Sequence, residues 1–181
     1  MGTVALALLL AGCGSAGGLH TDGNDGVGVA GPVRLGQRMS WGEVMLRNEW
    51  FAPVRLISAR FSDLPAGVEA LGARIVEGDE GFGTIAIETF PPGVASQIHP
   101  LAGHVVLPTT SRGDPHSIAY SNEGFYLGFR VTRPGRYVLR GADVVYEQDG
   151  ERHTLHADVG MVVCAAPRGR PDPDCPLPKY R

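Results

Sequence analysis

The sequence predicts an all-β fold, on three observations. From Trp41 onward, apolar residues recur with a period of two in short segments broken by Gly, Pro, Asn and Asp, which is the spacing of half-buried strands. No window of helical period runs long enough to compete. The last third adds two turn signals, Arg133-Pro134-Gly135 and Asp149-Gly150, set between strongly alternating runs. Past a Gly-rich leader roughly 150 residues remain, enough for one domain with a real core and too few to argue for two.

The chain opens on an uninterrupted apolar run, Val4 to Leu10. It has about the minimum length of a signal-peptide core and falls far short of the roughly 20 residues of a membrane span. Leu10-Ala11-Gly12-Cys13 follows: an aliphatic residue, two small ones and a cysteine. This stretch resembles the lipobox of bacterial lipoproteins. The resemblance implies a signal peptide over 1–12, cleavage before Cys13, a diacylglyceryl group on its sulfur and acylation of its new amino group. Each buried methylene contributes about 0.8 kcal/mol, so two or three acyl chains make a lasting tether without help from a basic patch. Met1-Gly2-Thr3 departs from the pattern, since it lacks the Lys or Arg that usually precedes the apolar run. An ordinary cleaved secretory signal and a cytosolic chain with an apolar N-terminus stay open beside the lipoprotein reading. N-myristoylation does not, because Leu6 stands where Ser or Thr is required.

Residues 13–31 hold many Gly with Ser, Asp and Asn and almost no large apolar side chains, so they read as a flexible linker. The eighteen residues after Cys13, Gly14 to Gly31, would reach roughly 23 Å, lifting the domain clear of lipid headgroups. Gly26-Val27-Gly28-Val29-Ala30-Gly31 matches a dinucleotide fingerprint by letter. That motif works only between a strand and a helix N-terminus, and here Pro32 follows with no strand expected before it.

The domain itself is placed over 32–166. Its first strand, Trp41 to Arg47, sets Val44 and Leu46 on one side with Glu43 and Arg47 on the other. Asn48 to Pro53 turns the chain, and Val54-Arg55-Leu56 begins the partner. A phase slip near Ile57 then makes Ile57, Ala59 and Phe61 the inward set, which predicts a bulge. Val68 to Val76, Gly83 to Thr89 and His104 to Leu107 are further strands, with the acidic turn Glu77 to Glu80 between the first two. That turn offers too few spaced oxygen ligands for calcium. Phe125, Leu127, Phe129 and Val131 alternate with Tyr126, Gly128 and Arg130. Tyr137, Leu139, Val144 and Tyr146 follow with a bulge at Gly141, and Asp149-Gly150 turns the chain into Arg152 to Cys164.

Pro134 to Leu139, a Pro-Gly-x-Tyr-x-Leu run, resembles the corner and following strand of immunoglobulin-like and fibronectin-like sandwiches, with Leu139 where antibody domains place a core cysteine. Asn48 to Leu56 is similar to a recurring hairpin of bacterial surface modules of that type. The resemblance implies a single immunoglobulin-like antiparallel β-sandwich of about seven to nine strands. It speaks to fold and not to activity. With the lipobox, it makes the whole similar to actinobacterial lipoproteins, in keeping with a composition in which Lys179 is the one lysine among sixteen basic residues.

Under the lipoprotein reading the cysteines divide: Cys13 carries lipid, and Cys164 with Cys175 form a disulfide in an oxidising compartment. A ring of that size stabilises by roughly 3 kcal/mol, and it would staple the Pro-rich tail, 167–181, to the domain. Cys164 as a catalytic thiol would need a base and an electropositive setting, whereas Met161-Val162-Val163 before it reads as a buried strand end.

A net charge of −3 with scattered basic residues lacks the footprint of a nucleic-acid binder. No Gly-x-Ser-x-Gly elbow, His-Glu-x-x-His pair or P-loop is present. The least regular stretch, Phe90 to Asn122, is where binding is expected, and His99, His104 and His116 lie in it. Three neutral imidazoles suit zinc or copper if the loops converge, although the spacing matches no compact motif. His153 and His156, three apart on a strand, fall on opposite faces. Trp50 and Phe51 sit in a turn, either as an exposed partner surface or as a lid on the core. The sequence therefore leads to a membrane-anchored, extracytoplasmic, non-enzymatic binding module without a cofactor, its partner another envelope protein. A metal-binding module using His99, His104 and His116 is the alternative.

Overall fold

The computed structural model describes residues 18–22, 28–77, 86–87, 89–91, 97–108 and 123–167, and every regular element among them is a β-strand. Most of the alternating segments are strands among the described residues; of the predicted Gly83 to Thr89 only Ala86–Ile87 is strand, with 83–85 and 88 outside the described residues, and the predicted His104 to Leu107 shortens to Val105–Val106. The strands are β1 (Leu19–Asp22), β2 (Gly28–Val33), β3 (Arg38–Asn48), β4 (Val54–Asp63), β5 (Val68–Glu77), β6 (Ala86–Ile87), β7 (Gln97–Pro100), β8 (Val105–Val106), β9 (Glu123–Val131), β10 (Gly135–Gln148) and β11 (Glu151–Ala165). One sheet runs β1-β3-β9-β5-β7, with β6 also paired to β3, and the other runs β2-β11-β10-β4-β8. All pairings are antiparallel except β2 with β11, which is parallel.

The expected turns and slips are present. Asp149 and Gly150 both adopt positive φ, 52° and 81°, the backbone of a type I′ hairpin whose twist matches the strands it joins. β10 bulges between Arg140 and Ala142, as expected at Gly141. β4 skips one residue against β10, because Val145 faces Ser58 and Tyr146 faces Leu56. The skipped residue is Ile57, so the predicted bulge exists. Ile57 itself is only half-buried, and the inward set resumes at Ala59 and Phe61.

One expectation needs correction. Residues 13–31, read as a flexible linker, contain β1 and part of β2. Leu19 is 2% exposed, and β1 pairs with β3 from Leu19↔Asn48 to Asp22↔Met45. β2 lies along β11 from Gly160↔Gly28 to Ala165↔Val33. These edge strands draw their order from backbone hydrogen bonds, whose donor every residue type but proline supplies, so a reading based on side-chain burial misses them. Trp41 to Arg47 lies within β3, and its expected inward pair, Val44 and Leu46, is buried. Trp41, Val44, Leu46 and Asn48 are all buried, which unbroken alternation cannot give; the pairing with β9 shifts between Gly42 and Val44, and this bulge restores the phase.

Both sheets contribute to one hydrophobic core. At its centre Phe61 of β4 meets Trp41 at 5.4 Å between ring centroids and Phe129 at 6.1 Å with the planes 87° apart. Such tilted and edge-to-face contacts suit the ring quadrupoles. The outer face of the first sheet is covered locally: the Phe90 ring lies against Gly128, Arg74 sits over that ring at 5.6 Å, and the buried Ser40 hydroxyl donates to the Thr89 carbonyl.

Candidate functional site

The two sheets present adjacent edges, β7 in one and β8 in the other, and residues 97–106 cross between them. Leu101, 3% exposed, plugs the crossing. Its turn is fixed by the backbone, with Gly103 N–H donating to the Leu56 carbonyl and Leu56 N–H to the His104 carbonyl, both at 2.8 Å. This places His104 Nε2 3.1 Å from Glu123 Oε2, with both side chains largely buried. His99, opposite Ile75 on β7, stacks on His104 with ring centroids 6.2 Å apart and planes inclined by 25°. Two of the three histidines of the alternative metal reading therefore lie side by side, and they bring a carboxylate that periodicity did not single out. His116 lies outside the described residues. Among the described residues no group of three His, Cys, Asp or Glu side chains is arranged to hold a metal ion.

A second cluster escaped the sequence reading. On the outer face of the second sheet, Ser62, Asp143 and His156 come from β4, β10 and β11. His156 Nδ1 lies 2.8 Å from Asp143 Oδ1, the Ser62 hydroxyl donates to the same oxygen at 2.7 Å, and Ser62 Oγ is 3.2 Å from His156 Nδ1. The one available signal was register: Asp143 faces Arg60 on one side and His156 on the other. His153 stacks instead on Tyr146 at 5.3 Å, so the two histidines point to opposite faces as expected.

The three residue types are those of a hydrolytic triad, but the connectivity is not. A triad needs the serine on one imidazole nitrogen and the carboxylate on the other. Here both oxygens share Nδ1, and the serine proton is directed at the carboxylate, so the imidazole does not activate Ser62. The cluster acts on Asp143: the hydrogen bond from His156, then that from Ser62, hold its carboxyl below its ordinary range against the opposing effect of burial, and the charges of His156 and Arg60 lower it by smaller amounts. A carboxylate with a depressed folded pKa contributes stability that is complete above its unfolded pKa, about 3.9, and is lost as pH falls through the lowered value. Asp143→Asn is thus expected to melt below wild type at pH 6, the gap closing as pH drops below about 3.9. Paired thermal melts across pH 2–6 measure it; a gap that persists unchanged at the acid end would contradict the account.

The third feature is the β3–β4 turn. Asn48, fully buried, organises it by donating from Nδ2 to the Ala52 and Val106 carbonyls at 2.9 and 3.1 Å while its Oδ1 accepts from Trp50 N–H at 3.0 Å. Trp50 lies half-buried with its indole N–H on Asp149 Oδ2 at 3.1 Å. Phe51 stacks on it at 4.4 Å and remains 75% exposed. Of the two readings of this pair, the exposed surface holds for Phe51, and Trp50 takes an intermediate position.

Cys164 is buried in β11 and is disulfide-bonded. Cys13 and Cys175 lie outside the described residues, so the lipid site and the choice of Cys175 as partner remain sequence readings. Among the described residues no helix is long and apolar enough to cross a membrane.

No family model matches the chain, and no curated protein does. Among solved structures it is similar to the Vibrio cholerae VesB protease at 9% identity and a TM-score of 0.33, over 80% of this chain and 31% of the protease chain. The chain thus spans less than a third of that protein's length, and a likeness of this size carries no weight for fold or chemistry.

Proposed function

We propose that the chain is a bacterial envelope lipoprotein: an immunoglobulin-like β-sandwich held by acyl chains on Cys13 at the extracytoplasmic face of the membrane, binding a partner without catalysing a reaction. The observation that carries this reading is the adjacency of lipobox and domain. Leu10-Ala11-Gly12-Cys13 ends five residues before Gly18, the first described residue, which is packed on the domain and whose carbonyl accepts from Glu49 N–H at 2.8 Å. The immunoglobulin-like assignment is supported by strand order, since β1-β3-β9-β5 and β4-β10-β11 match the ABED and CFG sheets of that fold. It is supported further by Tyr137, whose hydroxyl donates back to the Arg133 carbonyl at 2.9 Å, as a tyrosine corner does. Cys175 as the partner of Cys164 would staple the tail to β11. The extra strands β7 and β8 fall between the D and E positions, within the irregular stretch Phe90 to Asn122 proposed for binding.

Native protein is expected to enter the detergent phase on phase separation and to carry diacylglyceryl on an N-terminal Cys13. Cys13→Ser is expected to move it to the aqueous phase. An unmodified amino terminus in native material sinks the reading.

A second reading has one observation in its favour, the stacking of His99 on His104 beside Glu123. In it these imidazoles with His116 take up zinc or copper. Ligand that binds only the native state raises the melting temperature, so zinc and copper titrations of wild type against the triple His→Ala chain separate the two.

A further inference from the structure

The place where the chain joins the domain determines which end faces the lipid, and that end carries the most exposed aromatic ring among the described residues. Gly18 packs directly against the Trp50 Cβ, and its N–H donates to Gln148 Oε1 at 2.9 Å. β1 then runs away from this point, antiparallel to β3. The leader therefore enters at the end formed by the β3–β4 turn and the β10–β11 hairpin. Five residue steps separate Cys13 from Gly18, at most about 18 Å even when fully extended. An eighteen-residue stalk is not available, because the chain is already docked at Gly18.

Resting on the lipoprotein reading, we infer that the Trp50–Phe51 turn is a bilayer-interface contact that inserts the Phe51 ring at the headgroup–acyl boundary and sets the orientation of the domain on the membrane. Phe51 is 75% exposed and Leu107, at the same end, 62%. Isolated exposed apolar residues need no explanation, but neighbouring ones at a tethered end mark a contact surface. Trp50 supplies what an interfacial aromatic requires, an apolar body with its polar N–H satisfied, here by Asp149. Of the acidic groups nearby, Glu49 pairs with Arg47 at 3.2 Å and lies 3.6 Å from His20, while Asp149 keeps its charge and accepts from the indole. Neutral phospholipid is therefore the surface that suits this end, since an anionic one would repel the Asp149 carboxylate. A protein partner is the competing occupant, and tether length favours lipid: whatever else is present, the bilayer lies within reach of this turn.

The test uses the full-length lipidated protein in phosphatidylcholine vesicles with and without brominated acyl chains. Trp41 is 1% exposed and contributes equally to wild type and Trp50→Phe, so their difference isolates Trp50 emission. Brominated vesicles are expected to remove about half or more of it, as for an indole at the interface, and Phe51→Ser is expected to restore most of that loss. Trp50 left unquenched in a lipidated, vesicle-bound protein overturns the inference while leaving the anchor intact. Quenching unchanged in Phe51→Ser, or Trp50 shielded in native membranes but not in pure lipid, also overturns it, the latter in favour of a protein partner. If mass spectrometry shows Cys13 without lipid, this inference and the reading beneath it fall together.

Discussion

Replacing Phe129 with alanine is expected to destabilise the domain by about 3–5 kcal/mol, the usual cost of deleting a buried aromatic ring. Phe129 is fully buried and stands edge-on to Phe61, which in turn contacts Trp41. The ring thus bridges the inner faces of both sheets, and neither sheet can collapse into the gap without disturbing its own hydrogen-bonded register. For a domain of this size the loss corresponds to a fall in melting temperature of roughly 6–20 °C. Urea unfolding measures it directly: the midpoint should drop with the slope unchanged, since the surface exposed on unfolding is the same. A cost below about 1 kcal/mol would mean that the sheets do not pack through this triad of rings.

That triad shows what a single sequence discloses. Phe129 and Phe61 were placed inward by alternation alone, because a strand with one face on a core must repeat every second residue. The hairpin at Asp149-Gly150 was equally plain, since few dipeptides accept two consecutive positive φ angles. The bulge at Ile57 was visible because the apolar phase broke there. Trp41 to Val44 broke the phase too, but the break falls at the N-terminal end of the alternating run, where too little of the pattern precedes it to reveal the change.

The missed features share one cause: they depend on which strand lies beside which. β1 and β2 are poor in apolar side chains and ordered by neighbours more than 100 residues away in β11 and some 25 away in β3. Ser62, Asp143 and His156 meet only because β10 lies between β4 and β11, with the register that faces Asp143 to His156. Periodicity assigns a face to each residue but not a partner. His99 and His104 were recognised by residue type, whereas Glu123 required knowing that the crossing from β7 to β8 passes the start of β9. The same limit applies to the membrane end of the molecule: the aromatic turn and the lipobox were each legible, but their proximity follows from the docking of Gly18 on Trp50.

Gly42→Ala is expected to be the second severe substitution, although it adds a single methyl group. Gly42 has φ of 145°, and a Cβ built on it lies 2.5 Å from the Phe125 carbonyl oxygen and 2.9 Å from the Tyr126 Cα. Both obstacles are backbone of β9, so no rotamer change relieves the contact. Relief requires β3 and β9 to separate at the bulge, and that bulge is what lets Trp41 and Val44 both face the core. Strain at an unfavourable φ costs about 1–3 kcal/mol and overpacking of a tight site a further 1–3. A loss of about 2–6 kcal/mol is therefore expected in urea unfolding. Gly31→Ala is the control, since a Cβ there meets nothing within 4 Å, and its cost should stay within about 0.5 kcal/mol. Should the two variants prove equally stable, the bulge would not be pinned by Gly42, and the inward phase of β3 would have to be enforced from its Asn48 end, where the buried amide ties the strand to the following turn.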